Sequence, residues 1–106
     1  MSEYYDKNGK PLDFLTWVAL TDKQTEPDYF RVAETTTADG KWISTVWIGL
    51  NHNFGEGPPL IFETMVFPNE HDFRELDMDR YATLEEAQQG HRAMVEKWSG
   101  VPRAES

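Results

Sequence analysis

The chain has 106 residues, a formal net charge of −9, no cysteine and 13% aromatic residues. This length fits one domain, and the aromatic content argues against an intrinsically disordered chain. Without cysteine there are no disulfides, zinc ribbons or thiol nucleophiles, and an acidic chain is a poor binder of phosphate backbones. No apolar run approaches the ~20 residues that span a bilayer. Residues 1–6 lack the basic and apolar parts of a signal peptide, so we expect a soluble cytoplasmic protein.

The amino-terminal part of the chain predicts one short helix. The first ten residues are mostly polar, and we expect them to be flexible. Asp13 is placed to cap a helix in which Phe14, Trp17 and Val18 follow the spacing i, i+3, i+4 and point to the core. The β-favouring residues in the same segment leave a strand as the alternative. Residues 22–28 form a polar loop.

Three strand patterns occupy the middle of the chain. Residues 29–37 and 41–50 flank Asp39-Gly40, which is a strong hairpin signal between strand-like runs. The second segment has apolar residues on both alternating faces, so we expect a central strand covered on both sides. Residues 60–67 form the third strand. Its alternation places Leu60, Phe62, Thr64 and Val66 on one face, and Ile61, Glu63, Met65 and Phe67 on the other.

A short strand and a helix complete the chain. Residues 76–81 alternate apolar and charged positions, which favours a fourth strand at a sheet edge. Thr83 and Glu86 form a capping box for a helix that Gly100 ends, and we expect residues 100–106 to be frayed. One face of this helix carries Leu84, Ala87, His91, Met94, Val95 and Trp98.

These elements predict an α+β fold. A three- to four-stranded antiparallel sheet carries a short amino-terminal helix and a longer carboxy-terminal helix packed on it. A single domain of this size buries only about two-thirds of its unfolded surface. A homodimer that covers residual aromatic surface is therefore one possible assembly.

The central segment Ile43–Phe67, with the sequence ISTVWIGLNHNFGEGPPLIFETMVF, is distinctive. Together with the flanking pieces Tyr4–Trp17 and Arg80–His91, it resembles a family of small proteins of tailed phages and prophages. The resemblance covers most of the chain and implies a viral or prophage origin and expression in a bacterial cytoplasm. Accessory phage proteins often bind a host protein or metabolite, including components of antiviral defence. The family has no established activity, so the resemblance implies no catalytic residue.

The segment 51–59 is the first candidate site. Two glycines, Gly55 and Gly57, give it backbone freedom, and exposed N–H groups in such a loop can cradle an anion. The side chains that can add contacts to a ligand or partner are those of Asn51, His52, Asn53 and Phe54. No Gly-Lys-Ser/Thr follows, so this is not a Walker loop. A wide turn that only joins two strands is the alternative.

Glu63 and His91 are the next candidates, because both are polar residues on apolar elements. We expect Glu63 to pair with Arg31, Arg80 or a tryptophan N–H, since an unpaired buried carboxylate is costly. We expect His91 to be a core histidine bonded to a carboxylate or carbonyl rather than a catalytic base.

The acidic segment 70–79 is the last candidate. Its carboxylates are conceivable ligands of Mg²⁺ or Mn²⁺, but the spacing matches no calcium loop. We expect a solvated acidic edge, with no metal and no cofactor.

Several functions remain open. The leading hypothesis is a non-enzymatic binding module of phage type that engages a host protein or small ligand, with a counter-defence role among the possibilities. It would use the segment 51–59, exposed aromatics and an acidic surface that steers it to a basic partner. The alternatives are a nucleotide- or anion-binding homo-oligomer, a virion component, and a small hydrolase or phosphoesterase. The hydrolase requires His52, Glu63 and His91 to converge in one cleft.

Overall fold

The computed structural model describes residues 3–53 and 55–99. The predictions on Phe54, on the helix stop at Gly100 and on residues 100–106 therefore lie outside the described residues. The elements in chain order are β1 (Tyr4–Tyr5), β2 (Pro11–Leu12), α1 (Phe14–Thr21), β3 (Arg31–Thr36), β4 (Trp42–Trp47), β5 (Phe62–Phe67), β6 (Asp77–Tyr81) and α2 (Leu84–Trp98).

The main sheet has four antiparallel strands in the order β3-β4-β5-β6. Each strand pairs with its neighbour along the chain, so the predicted α+β arrangement is confirmed. The Asp39-Gly40 turn joins β3 to β4, and Gly40 has a φ of +91°, a conformation that glycine adopts at little cost. The fourth strand forms an edge, as its charges predicted.

The two faces of the sheet differ in what covers them. Paired residues share a face, so the register defines a helix face and an open face. α2 packs on the helix face, where Ile43, Thr45 and Trp47 of β4 are buried. Trp42, Ser44 and Val46 lie on the open face and are only half-buried. The prediction that both faces of this strand are covered is therefore wrong, because no helix within the described ranges packs on the open face.

The carboxy-terminal helix forms as the sequence predicted. Thr83 Oγ1 accepts a hydrogen bond from the Glu86 amide at 3.1 Å, and the Glu86 carboxylate accepts one from the Thr83 amide at 3.2 Å. This reciprocal capping box satisfies two helix donors. The buried residues of the helix are Ala87, His91 and Met94, all on the predicted stripe.

The polar start of the chain forms a short hairpin that the sequence analysis did not predict. β1 and β2 pair across a turn in which the Asp6 carboxylate accepts hydrogen bonds from the Asn8 and Lys10 amides at 2.8 and 2.9 Å. The Tyr5 amide donates to the Gly49 carbonyl at 2.8 Å. This contact ties the hairpin to the chain beyond β4, so a hairpin with only two residues per strand is stable there.

Candidate functional site

Three segments meet at one end of the sheet, which we call the loop end: residues 3–5, α1 and residues 48–53. Tyr4 forms a β-bridge with Leu50, and the Asn51 amide donates to the Glu3 carbonyl at 2.9 Å. The indole N–H of Trp17 in α1 donates to the Ile48 carbonyl at 3.1 Å. The start of the segment 51–59 therefore lies beside the hairpin and the first helix.

Gly49 is the point at which these segments are locked together. Its φ is +69°, and a Cβ atom built on it would lie 2.4 Å from the Trp47 ring and 2.6 Å from Nε1 of Trp17. Only glycine lets both indoles approach the backbone here. The indole N–H of Trp47 donates to the Tyr5 carbonyl at 2.9 Å. Two tryptophans thus hold α1 and the hairpin against the end of β4.

The asparagine side chains of the segment 51–59 close the loop on itself. Asn51 Oδ1 accepts from the Asn53 and Leu60 amides at 2.8 and 3.1 Å. Asn53 Oδ1 accepts from the Gly55 amide at 3.0 Å, and its amide nitrogen donates to the Pro58 carbonyl at 2.9 Å.

These bonds remove support for the predicted anion cradle. The amides of Asn53 and Gly55 are already used by side-chain oxygens, and the His52 amide donates to the Leu60 carbonyl at 3.0 Å. An anion needs such N–H groups to converge on it.

A cleft of about 290 Å³ opens at the loop end, lined by Glu3, Leu50, Asn51, His52 and Asn53. His52 Nδ1 lies 2.8 Å from the Leu50 carbonyl oxygen. Because a carbonyl only accepts, Nδ1 is the donor in this contact. The cleft combines this ring with the carboxylate of Glu3 and with two asparagines whose side-chain oxygens already accept hydrogen bonds within the loop.

The orientation of α1 differs from the prediction. The expected inward stripe of Phe14, Trp17 and Val18 is wrong at two of its three positions, because Phe14 is 54% and Val18 40% exposed, and Leu15 between them is 76% exposed. Trp17 contacts the core as predicted, and Leu20 does so beside it. The helix rests on the end of the sheet and not on its face, so only a narrow side of it is covered.

An aromatic cluster supports the exposed side of α1. The ring of Tyr4 lies 4.7 Å from that of Trp17 and 5.7 Å from that of Phe14, measured between centroids. Phe14 is thus held by a neighbour on one side while its other side faces outward. Asp13 caps the helix by accepting from the Thr16 amide at 2.8 Å, and the helix itself contains no charged residue.

Glu63 is paired, and its partner is one of the three that the sequence named. Glu63 Oε1 lies 3.2 Å from Nε of Arg80, and both side chains lie on the open face. The pair joins β5 to β6. Because the guanidinium of Arg80 binds this carboxylate, Glu63 is not placed to act as a general base.

His91 is a core histidine, as expected, with 6% of its surface exposed. The predicted carboxylate or carbonyl partner is wrong, since both ring nitrogens contact hydroxyls. Nε2 lies 2.8 Å from Thr35 Oγ1, Nδ1 lies 2.7 Å from Thr45 Oγ1, and Thr45 in turn contacts Thr64. Burial lowers the pKa of His91, and the nearby charge of Arg92 lowers it further. The ring is therefore neutral near pH 7.

His52, Glu63 and His91 do not converge. His91 bonds to threonines on the helix face, Glu63 lies on the open face, and His52 lies at the loop end. A hydrolase built from these three side chains is contradicted, because a sheet separates two of them.

Two carboxylates of the acidic segment 70–79, those of Asp72 and Asp77, are held in ion pairs. Asp72 binds Arg74 at 2.7 Å, and Asp77 accepts from Lys97 at 2.7 Å and from the Trp98 indole at 2.9 Å. The hydrogen bonds from Lys97 and Trp98 hold the pKa of the Asp77 carboxyl below its usual range. Within residues 3–53 and 55–99, no group of three His, Asp or Glu side chains is arranged to hold a metal ion.

Comparison of the chain with protein-family models, curated proteins and solved structures finds no significant match. In the part of the chain that the structure describes, no helix has the length and apolar character needed to cross a bilayer.

Proposed function

We propose that this chain is a small phage-type accessory protein, a non-enzymatic binding module that docks α1 into a host protein. The observation that carries the proposal is the exposure of α1. Six of the eight residues of α1 are apolar, and a helix of such composition is normally buried, yet none of its residues is buried here. The phage origin and the bacterial cytoplasm come from the resemblance of the central segment and its flanks, and a counter-defence role is one form that such binding takes.

Three exposed side chains supply the anchors. Phe14, Leu15 and Val18 occupy neighbouring positions at i, i+1 and i+4, so they form one continuous apolar strip. Short amphipathic helices bind apolar grooves through such a strip. The contacts of Tyr4 and Trp17 below Phe14 fix the helix before binding, which lowers the entropy cost of association.

The charges beside the strip define the chemistry of the partner. Asp13 and Asp22 flank the two ends of α1 and Glu26 follows in the adjoining exposed loop, so the carboxylates there outnumber the one lysine, Lys23. A groove bordered by Lys and Arg complements this arrangement, and electrostatic steering speeds such encounters. A second copy of the chain would present the same carboxylates and be repelled.

The test uses the tagged chain and bacterial lysate. We expect the wild-type chain to retain a specific host protein that Leu15→Gln fails to retain. Phe73→Ser is the matched control, because Phe73 is 72% exposed but lies on the connection between β5 and β6, away from α1. The retained protein, once identified and purified, must bind more weakly as salt rises.

Two results contradict the proposal. One is equal retention of the same protein by wild type and Leu15→Gln. The other is a marked rise in melting temperature with a nucleotide or inorganic phosphate, which would favour a small anionic ligand instead.

A further inference from the structure

Asn8 and Gly9 lie at the tip of the amino-terminal hairpin, and both are exposed. Within residues 3–53 and 55–99 the side chain of Asn8 has no hydrogen-bond partner. Gly9 has no side chain to shield its backbone nitrogen, and even a Cβ atom built on it would meet nothing within 4 Å. The side-chain amide of Asn8 is therefore free to turn toward the nitrogen of the next residue.

The other three asparagines of the chain are Asn51, Asn53 and Asn69, and they differ from Asn8 in two ways. Each of them precedes a residue with a side chain, which crowds the following backbone nitrogen. The side-chain oxygen of each also accepts a backbone N–H at 2.8–3.1 Å. These bonds hold the side chains in place, so only Asn8 combines a free amide with a following glycine.

Asp39-Gly40 has the same spacing but a less reactive side chain. A nucleophile attacks a neutral carboxylic acid far more readily than an ionised carboxylate, because the charge repels it. Lys41 and Thr37 donate hydrogen bonds to the Asp39 carboxylate, and these bonds hold the pKa of Asp39 below its usual range. Asp39 is therefore ionised at neutral and alkaline pH and protected from attack by Gly40.

We propose that Asn8 is a site of spontaneous deamidation, in which the backbone nitrogen of Gly9 attacks Cγ of Asn8. The nitrogen of Gly9 loses its proton to water or hydroxide and forms a bond to Cγ. The side-chain nitrogen takes up a proton and leaves as ammonia, so a five-membered succinimide ring remains. Water then opens this ring at either carbonyl. One opening gives aspartate and the other gives isoaspartate, in which the main chain runs through Cγ.

The turn slows this reaction but leaves room for it. The Gly9 amide donates to the Asp6 carbonyl at 3.0 Å, and this bond must open before the nitrogen can attack. Exposed turns open locally at a small free energy, because few contacts hold them. A cavity of about 250 Å³ separates residues 7–9 from residues 82–85 at the start of α2. It gives space to the ring and access to the water that hydrolyses it.

Both products weaken the hairpin. The Asp6 carboxylate holds the turn by accepting from the amides of Asn8 and Lys10. Either product places a second carboxylate close to that of Asp6, and like charges repel. Isoaspartate also lengthens the main chain by one methylene, so the two amides no longer fit the Asp6 carboxylate together. A hairpin with two residues per strand depends on this turn, and we expect its release from the end of the sheet.

Peptide mapping by mass spectrometry tests the site after incubation of the full chain at mildly alkaline pH. Trypsin releases a peptide that begins at Asn8, and deamidation raises its mass by the difference between OH and NH2. We expect this peptide to gain product before the peptides of the other asparagines, at a rate within about tenfold of that in the urea-unfolded chain.

Asn8→Gln is the matched variant, because closure of a six-membered ring is much slower. It should fold normally, since no residue other than glycine has a positive φ among the described residues. The mass gain should then disappear from this peptide. A folded chain that stays intact at Asn8 while the unfolded chain reacts overturns the proposal, as does earlier product at another asparagine.

The release of the hairpin is measured at a tryptophan. The indole N–H of Trp47 donates to the Tyr5 carbonyl of β1, so it should exchange with solvent faster in the deamidated chain than in the fresh one. The indole N–H of Trp98, which donates to Asp77, is the control and should not change. Equal exchange at Trp47 in both chains would overturn the release. Neither readout depends on binding of a host protein by α1.

Discussion

The ring of Tyr81 lies against the backbone of Gly90, so close that a Cβ atom on Gly90 would stand 2.2 Å from the ring. This contact lets α2 approach β6 to within the thickness of one aromatic ring. The Tyr81 hydroxyl is buried beside Thr64 without a well-formed hydrogen bond, and burial raises the pKa of Tyr81. A residue without a side chain in the middle of a helix is thus required by packing.

Gly90→Ala should destabilise the protein. In an exposed helix this change adds about 1 kcal/mol of stability, because alanine is the better helix former. Here the methyl group meets the Tyr81 ring, and overpacking of this kind costs roughly 1–3 kcal/mol. Urea denaturation measures the net loss. Gln89→Ala, at the neighbouring exposed position, is the control and should be neutral or stabilising; similar gains for both would refute the packing argument.

The stability of the domain should fall between neutral and mildly acidic pH because of His91. Its folded-state pKa lies below the ordinary value of 6.5, so the unfolded chain binds the proton more tightly. The contribution of the neutral ring to the free energy of unfolding is complete above the ordinary pKa of 6.5. It is lost as the pH falls through the lower pKa of the folded state. Urea denaturation at pH 7.5 and at successive lower values down to pH 5.5 measures this slope.

His91→Gln separates this effect from the titration of carboxylates. The variant keeps every carboxylate of the chain, so only the slope caused by the imidazole should disappear. An unchanged slope in His91→Gln would show that other groups cause the pH dependence.

Leu15→Gln should leave the free energy of unfolding within about 0.5 kcal/mol of wild type, because exposed side chains contribute little. Trp17→Ala should cost about 2 kcal/mol or more, since it removes the contacts over Gly49 and the hydrogen bond to Ile48. Thermal and urea denaturation compare the two variants. A large loss with Leu15→Gln would mean that α1 is oriented differently.

Thr83→Ala should lower stability by about 1 kcal/mol, because it removes the side-chain oxygen that caps α2. Thr83→Ser keeps that oxygen and should recover most of the loss. Urea denaturation of the three proteins gives the comparison, and an equal loss in both variants would exclude the cap as the cause.

The elements with a clear local pattern were predictable. The capping box at Thr83 and the stripe through His91 specify both the start and the buried face of α2. The strands were also identified, but their predicted bounds were too long. Residues such as Ile61 are buried just beyond the hydrogen-bonded ladder, so the apolar pattern continues past the paired residues. The orientation of α1 was not predictable. An eight-residue helix without a charge offers no polar side to mark its exposed face.

The candidate site was predictable only in part, because its contacts are distant in sequence. Glu63 was expected to pair with one of three groups, but the choice of Arg80 follows from the register of β5 and β6. The hydroxyl partners of His91 are 46 and 56 residues away, so spacing carries no signal for them. The loop end depends on Trp47 and Tyr5, which are 42 residues apart.

The sheet order also has a kinetic consequence. Every strand of the main sheet pairs with its chain neighbour, and the segment 48–61 between β4 and β5 is the longest connection that a hairpin of this sheet closes. The amino-terminal hairpin must instead find Gly49 after β4 is in place. We therefore expect it to dock on a sheet that is already folded, and to detach without unfolding that sheet. Hydrogen exchange at the Tyr5 amide should then proceed through local opening, faster than exchange in β4 and β5.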